Sequence, residues 1–151
     1  DYGCGSGWAS VEFLARGCSV RALDASPGLV AVAREAGVPA ELACFEALAD
    51  VSEYDGLWAS FSLLHAPRAD LPGHLARLKR AAKPGATLYL GLKLGQGEAR
   101  DSLGRRYAYW SETELRDLLA AAGFTWIEAE TAEERGWTGE IEPAIHILAH
   151  A

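Results

Sequence analysis

Glycines at three alternate positions, Gly3, Gly5 and Gly7, constrain the fold of this chain more than any other feature. Without Cβ atoms they let the backbone turn tightly and approach a ligand closely. Residues 8–14 are apolar at helical spacing, so the glycines are predicted to lie where a helix begins and its amides point outward. Asp24 follows Gly5 by 19 residues. At that distance an acid that ends a second strand reaches a ribose diol, so the pattern predicts adenosine binding.

The order of these residues separates two kinds of nucleoside ligand. A dinucleotide-binding loop reads G-x-G-x-x-G and presents helix amides to a pyrophosphate. Here the run is acid-x-G-x-G-x-G, because Asp1 lies two positions before the first glycine. A carboxylate there repels a pyrophosphate and attracts an ammonium or sulfonium group at short range. A glycine-rich turn without any ligand is the alternative.

The acidic, glycine-rich run resembles motif I of the class I methyltransferases that use S-adenosylmethionine (SAM). The resemblance implies that SAM is the cofactor, with Asp1 near its methionine part and the glycines around it. The cofactor-binding residues that it predicts in this region are Asp1, Gly3, Cys4, Gly5, Asp24, Ala25 and Ser26.

Composition excludes several classes of protein. The chain has 151 residues, enough for one domain with its own core, and we expect a single methyltransferase domain over residues 1–151. A net charge of −7 with scattered arginines argues against a nucleic-acid partner. No apolar run reaches the roughly 18 residues of a membrane span. The three cysteines lack metal-ligand spacing and are interpreted as reduced thiols of a cytoplasmic protein.

The start of the chain coincides with the acid of motif I, and the chain contains no methionine. We therefore expect the first strand of the sheet to be missing from it. In a parallel sheet that strand would be central and buried on both faces, so its loss would exceed the marginal stability of a domain. This predicts that the 151-residue chain folds poorly alone, and a sharp cooperative melt would contradict it.

Helical and strand patterns alternate along the chain. The predicted helices are 8–16, 26–36, 71–82 and 111–122, and the predicted strands are 19–23, 41–45, 54–61, 87–94, 125–130 and 144–150. Residues 95–110 are predicted to be a long connection without regular structure. The alternation, which ends in two strands with no helix between them, predicts an α/β fold with a doubly wound, mostly parallel sheet. The resemblance adds that the sheet has seven strands, the last antiparallel to its neighbours.

Ligands of such sheets bind outside the carboxyl ends of the strands, which selects the candidate residues. Asp24 directly follows an apolar strand, and we interpret its carboxylate as a bidentate acceptor for two ribose hydroxyls. Its alternative role is to cap the next helix, which begins after Ser26.

The third predicted strand departs from the family pattern. Family members hold the adenine there with an acid followed by a small residue, but Cys44 stands in place of the acid. Because a thiol is a weak hydrogen-bond partner, adenine recognition is assigned to the backbone of Phe45 with apolar contact from Phe45 or Leu48. Glu46 is the substitute acid. A core role for Phe45 is equally open.

The fourth strand ends in Ser60, and His65 follows five residues later. The sequence resembles the family's fourth motif, in a branch near the tellurite-resistance-type methyltransferases. The resemblance implies that Ser60 contacts SAM and that the following residues border the substrate. His65 is then a candidate general base, because its usual pKa is about 6.5. A structural histidine bonded to a loop carbonyl is the alternative.

The connection 95–110 follows the fifth strand and is rich in glycine and arginine. Long irregular connections in compact domains are usually functional or mobile. The candidate substrate residues are Lys93, Arg100, Arg105 and Tyr107. The alternative is a solvated loop whose arginines pair with nearby acids. Trp137 is a candidate cover for the pocket.

The sequence therefore predicts a SAM-dependent methyltransferase with a small-molecule acceptor, whose identity and reacting atom it leaves open. Direct displacement at the sulfonium methyl needs neither a nucleophile triad nor a metal, so the enzyme mainly aligns the reactants. A non-catalytic SAM-binding module, which Cys44 favours, and a nucleotide-dependent oxidoreductase are the alternatives. The G-x-G-x-G spacing and Asp1 disfavour the oxidoreductase.

Overall fold

Helices and strands alternate along the chain, in a computed structural model that describes residues 1–136 and 139–151. The helices are α1 (Trp8–Ala15), α2 (Pro27–Glu35), α3 (Leu71–Ala81) and α4 (Glu112–Ala121). The strands are β1 (Ala22–Asp24), β2 (Ala40–Leu42), β3 (Tyr54–Ser60), β4 (Ala82–Leu94), β5 (Glu98–Arg100), β6 (Arg106–Trp110), β7 (Thr125–Arg135) and β8 (Ile141–His150). None of the helices in the described ranges is long and apolar enough to cross a membrane.

Two groups of strands meet at Tyr2. In the first group β1 lies parallel to β2, and in the second β3 and β8 flank β4. Tyr2 forms a parallel bridge with Leu23 of β1, and its N–H donates to the carbonyl of Trp58 in β3 at 2.7 Å. The order across the molecule is therefore β2, β1, Tyr2, β3, β4, β8, β7.

The closing strand β8 runs antiparallel to both of its neighbours, β4 and β7, whereas β3 is parallel to β4. This confirms the predicted α/β fold with a mostly parallel sheet and an antiparallel last strand. Several boundaries differ, since β4 and β7 are longer than predicted, and β2 ends at Leu42 before a short 3-10 helix, Phe45–Ala47.

The two faces of β4 have different roles because side chains alternate along a strand. Leu88, Leu90 and Leu92 are fully buried on one face. They belong to the same apolar cluster as the buried leucines of α3 and α4. Burying each such side chain contributes about 1.5–3 kcal/mol. The opposite face carries Tyr89 and Lys93, and Lys93 takes part in a network described below.

The prediction of an irregular connection over 95–110 is wrong. β5 pairs antiparallel with β6, and the end of β6 lies parallel to Lys93 and Leu94 of β4. Burial of Tyr107, Ala108 and Trp110 in the core holds the hairpin on the sheet. No local apolar alternation reveals this, because β5 is exposed throughout.

A cavity of about 960 Å³ lies between residues 18–21, which precede β1, and β3, and it is also lined by Tyr89 of β4. Of the predicted cofactor residues only Asp1 lines it. It is therefore a different place from the candidate site at the carboxyl ends of the strands.

Candidate functional site

The glycine loop adopts a backbone that side chains rarely accept. Gly3, Gly5 and Gly7 have φ values of +85°, +55° and +82°. A Cβ added at Gly3 would lie 2.3 Å from the Cβ of Ser62, whereas one at Gly5 would meet nothing within 4 Å. Gly7 is the N-cap of α1. The loop therefore turns where predicted, packs against the end of β3 at Gly3 and leaves open space at Gly5.

Asp24 joins the glycine loop to the start of α2. Its Oδ2 accepts the N–H of Gly5 at 2.9 Å, and its Oδ1 accepts the N–H of Ser26 at 2.8 Å. Ser26 then caps α2 by accepting the N–H of Leu29 at 3.4 Å. Ala25 lies in the turn between them. A carboxylate has about four lone-pair sites, so the ribose role remains open to Asp24 beside this structural one.

The acid at the start of the loop is held by α1. The hydroxyl of Ser10, which is fully buried, donates to Oδ2 of Asp1 at 2.7 Å. Cys4 points the other way, because its side chain is buried in the small cluster that packs α2 on β1. Burial raises the pKa of the Cys4 thiol. Cys4 therefore exposes only its backbone, and not its thiol, at the surface of the glycine loop.

The segment after β2 packs on the glycine loop through Phe45. The hydroxyl of Tyr2 donates to the carbonyl of Phe45 at 2.9 Å, and the two ring centroids are 4.7 Å apart. The ring of Phe45 would be 3.2 Å from a Cβ at Gly3. Phe45 is half-buried in the core, while Cys44 and Glu46 are exposed. The structure thus brings Phe45 to the loop and leaves its neighbours facing solvent.

The segment that follows β3 touches the loop through Ser62, a residue that the sequence reasoning missed. Its hydroxyl donates to the carbonyl of Tyr2. Ser60, the predicted contact, is half-buried and lies opposite Gly91 of β4. Phe61 between them has a φ of +50°. No spacing rule identifies Ser62, because its partner lies 60 residues away.

His65 ends the 3-10 helix Leu63–His65, and its Nδ1 lies 2.8 Å from the carbonyl oxygen of Arg106. Because a carbonyl only accepts, Nδ1 carries the hydrogen and Nε2 of the neutral ring keeps its lone pair. Burial of the ring lowers the pKa of His65, the bond to Arg106 opposes this, and the nearby Arg105 and Lys93 add to the lowering. The structural bond to a loop carbonyl, which was the alternative role of His65, is therefore present. This bond uses Nδ1 and leaves Nε2 able to accept a proton.

Lys93 is buried and paired. Its ammonium binds the carboxylate of Glu142 and lies 4.0 Å above the ring of Tyr107. Glu142 also accepts the hydroxyl of Tyr109 at 2.8 Å. Burial, together with this carboxylate, raises the pKa of Tyr109 to about 12. Sequence reasoning missed Glu142 because it lies 49 residues from Lys93, and Tyr109 because residues 95–110 were expected to be irregular and not to form a strand beside β4.

The arginines of the hairpin bind local groups. Arg105 donates to Asp101 at 2.8 Å, and Arg100 donates to the carbonyl of Gly104. The structure thus shows the local pairing that was the alternative for this segment, and an acceptor contact by these residues stays a prediction. The ring of Tyr107 lies 4.9 Å from that of His65. Trp137 lies outside the described residues.

A family model described as a methyltransferase domain matches residues 1–90. This is more than half of the 151 residues. The match includes the glycine loop, Asp24 and the end of β3. No curated protein matches the chain.

Solved structures share the fold over almost the whole chain. A SAM-dependent methyltransferase from Methanosarcina mazei is 24% identical with a TM-score of 0.83, covering 98% of this chain and 89% of that chain. A 1,6-didemethyltoxoflavin-N1-methyltransferase from Burkholderia thailandensis was solved with 1,6-didemethyltoxoflavin and S-adenosylhomocysteine. It is 24% identical with a TM-score of 0.82, and the match covers 99% of this chain and 68% of that chain. TehB from Haemophilus influenzae is 16% identical with a TM-score of 0.80, and the match covers 99% of this chain and 56% of that chain. The chain therefore belongs to the methyltransferase domain family and has the fold of the SAM-dependent methyltransferases.

Proposed function

We propose that this protein binds SAM at the glycine loop and transfers its methyl group to a small-molecule acceptor. The observation that carries the proposal is the bond from the Gly5 N–H to Asp24, which fixes an open loop against an acid with spare acceptor capacity. The Burkholderia thailandensis neighbour, which has a small-molecule ligand, supports the acceptor class. The net charge of −7 argues against a nucleic-acid acceptor.

The residues present suit an adenosyl ligand with a positive charge. Gly5 leaves room beside the loop, Asp24 offers unused lone pairs to hydroxyls, and Phe45 offers an apolar ring next to Gly3. Asp1 supplies negative charge at the start of the loop, where Ser10 orients its carboxylate. Cys44 is the one departure, because an exposed thiol gives the adenine a weak partner.

Bound SAM supplies a methyl group on a positively charged sulfur, so that direct displacement suffices. The chain then has to align the acceptor and remove its proton, and alignment provides much of the rate enhancement. His65 is the proposed base, because the Arg106 carbonyl holds its Nδ1–H and leaves Nε2 free. Its lowered pKa keeps the ring neutral at physiological pH.

Calorimetric titration of the purified protein with SAM, S-adenosylhomocysteine and NAD tests the binding step. We expect heat with the first two compounds only. Asp24→Ala should weaken SAM binding by about 1–3 kcal/mol because hydrogen bonds to a charged acceptor are lost. Asp55→Ala, at an exposed acid in β3 away from the loop, is the matched control and should leave the affinity unchanged. Equal affinities for the Asp24→Ala variant and the unmodified protein would remove Asp24 from the site.

The catalytic step is tested with a panel of oxygen, nitrogen and sulfur acceptors. His65→Ala should keep SAM binding and lower turnover by about 10²–10⁴-fold, the usual contribution of a general base. His150→Ala, at an exposed histidine of β8, serves as the control. Turnover equal to that of the unmodified protein would show that His65 has only its structural bond.

A non-catalytic SAM-binding module is the second candidate, favoured by the exposed Cys44 in the position of the family's acid. Retained SAM binding without transfer to any acceptor on the panel would support it over the enzyme.

A further inference from the structure

The β5–β6 hairpin carries the hydrogen-bond partner of His65 but is joined to the main sheet over a short length. In the part of the chain that the structure describes, β6 pairs with β4 at two positions, Tyr109 and Trp110. Arg106 lies outside this pairing, and its carbonyl binds Nδ1 of His65 at 2.8 Å instead. At this end, side-chain contacts join the hairpin to residues 63–68, here called the His65 segment.

Arg68 joins the His65 segment to the hairpin and to α4. Its guanidinium donates to the carbonyl of Tyr109 and to the carboxylate of Glu114. Its Cζ lies 3.8 Å from the centre of the Trp110 ring, and the side chain is 25% exposed. A planar guanidinium can make these contacts at the same time, whereas a lysine ammonium cannot. Arg68 therefore holds the end of β6 against a residue that lies three positions after His65.

Glu98 of β5 completes a closed set of contacts around His65. Its Oε1 accepts the backbone N–H of Arg68 at 2.6 Å, and its Oε2 accepts the guanidinium of Arg106 at 2.7 Å. Because β5 is exposed throughout, core burial does not hold Glu98 in this place. The path from His65 through Arg106 and Glu98 therefore returns to the His65 segment.

The partners of the His65 ring determine which of its nitrogens carries the hydrogen. A neutral imidazole can carry it on either nitrogen, and only the Nδ1–H form leaves Nε2 able to accept a proton. The Arg106 carbonyl selects this form, and the ring of Tyr107 meets the imidazole at 64° with centroids 4.9 Å apart. Both partners belong to β6, so a shift of the hairpin would free the ring and its tautomer together.

We propose that Arg68 is a positioning residue that, together with Glu98, holds the β5–β6 hairpin against His65 and so keeps Nε2 as the proton acceptor. The proposal rests on the proposed function, in which His65 removes a proton from the methyl acceptor. Partly exposed ion pairs contribute little to overall stability. Their loss should therefore change the state of the His65 ring while the protein stays folded.

The test combines nitrogen-15 NMR of the histidine rings with steady-state kinetics, and His65→Ala identifies the His65 signals. In the unmodified protein we expect the neutral ring to carry its hydrogen on Nδ1. Glu98→Ala should mix the two tautomers and lower kcat about three- to tenfold, because part of the population then carries the hydrogen on Nε2 or is misplaced. The KM for SAM should change by less than about twofold, since the glycine loop is unaltered.

Two further variants and a control sharpen the result. Arg68→Lys keeps the charge and loses the planar fork, so it should mix the tautomers as Glu98→Ala does. Glu98→Gln keeps an oxygen that can accept the Arg68 N–H, and it should retain the single tautomer and most of the turnover. Glu112→Ala removes an exposed ion pair of α4 and should leave both readouts unchanged.

A single Nδ1–H tautomer in both Glu98→Ala and Arg68→Lys would overturn the proposal. A loss of turnover without a change of tautomer, or mixed tautomers with full turnover, would overturn it as well. Full turnover in His65→Ala, or no binding of SAM to the unmodified protein, would instead overturn the proposed function. The tautomer is measured without turnover, so the two failures are distinguishable.

Discussion

The glycine loop with β1 and the β4–β8 part of the sheet are built in different ways. In the loop, main-chain hydrogen bonds hold the conformation: the N–H groups of Gly3 and Cys4 both donate to the carbonyl of Leu23 at 2.9 Å. In the sheet, fully buried leucines and isoleucines supply the stability. The loop is specified by the residue type at single positions, whereas the sheet is specified by burial spread over many positions. Changes in the loop should therefore alter binding, and changes in the sheet should alter stability.

The strongest test of this contrast is Leu88→Ala in β4. Leu88 is fully buried, so the substitution should lower the free energy of unfolding by about 2–5 kcal/mol through lost contacts and a cavity. SAM affinity of the folded protein should not change. Urea unfolding and calorimetry measure the two quantities. Leu103→Ala, at a leucine that is 67% exposed, is the control and should stay within about 0.5 kcal/mol. A large loss of affinity in Leu88→Ala would break the contrast.

Two alanine substitutions sharpen the comparison within the loop. Gly3→Ala combines a φ of +85° with a 2.3 Å overlap on Ser62, and should lower the free energy of unfolding by about 2–4 kcal/mol and abolish SAM binding. Gly5→Ala meets open space at a φ of +55°, so only the backbone cost of about 1–2 kcal/mol applies. Equal losses of stability in the two variants would show that the overlap with Ser62 is relieved elsewhere.

We expect a smaller change in the free energy of unfolding from the titration of His74, which lies between the glycine loop and the main sheet. His74 of α3 is buried beside Tyr2 and Phe45, and burial lowers its pKa below the usual 6.5. Because the folded pKa is the lower one, the stabilising contribution is fully present above pH 6.5 and is lost as the pH falls through the folded value.

Urea unfolding between about pH 8 and pH 5 measures the slope that a buried histidine produces. His74→Phe should flatten this slope, and the same exchange at exposed His150 should leave it unchanged. An unaltered slope in the His74 variant would assign the pH dependence to other groups.

The sequence predicted the elements whose cause is local. Three alternate glycines favour a special backbone, which the structure shows at all three positions. The 19-residue spacing singled out Asp24 as a ribose ligand, which stays a prediction, and did not predict its bond to the Gly5 N–H. The alternation of apolar runs predicted the parallel sheet and its antiparallel close. These features depend on residue type and spacing, which are visible without coordinates.

The remaining features depend on partners that are distant in sequence. β6 is held on the sheet by burial of Tyr107 and Trp110 in the core. The pairing of Lys93 with Glu142 joins residues 49 positions apart. Phe61 has a left-handed backbone, and its ring contacts Gly91 and His146, which lie 30 or more residues away in sequence. No local pattern specifies such contacts, because the residues next to each partner in sequence do not indicate which distant residue it will meet.

The crowding between Gly3 and Ser62 carries a consequence for how this protein can change over time. Any side chain at position 3 would require a different backbone conformation there and a smaller residue than Ser62 beside it. Substitutions at positions 3 and 62 therefore constrain each other. In natural variants we expect positions 3 and 62 to be substituted together, whereas position 5, which faces open space, varies independently of both.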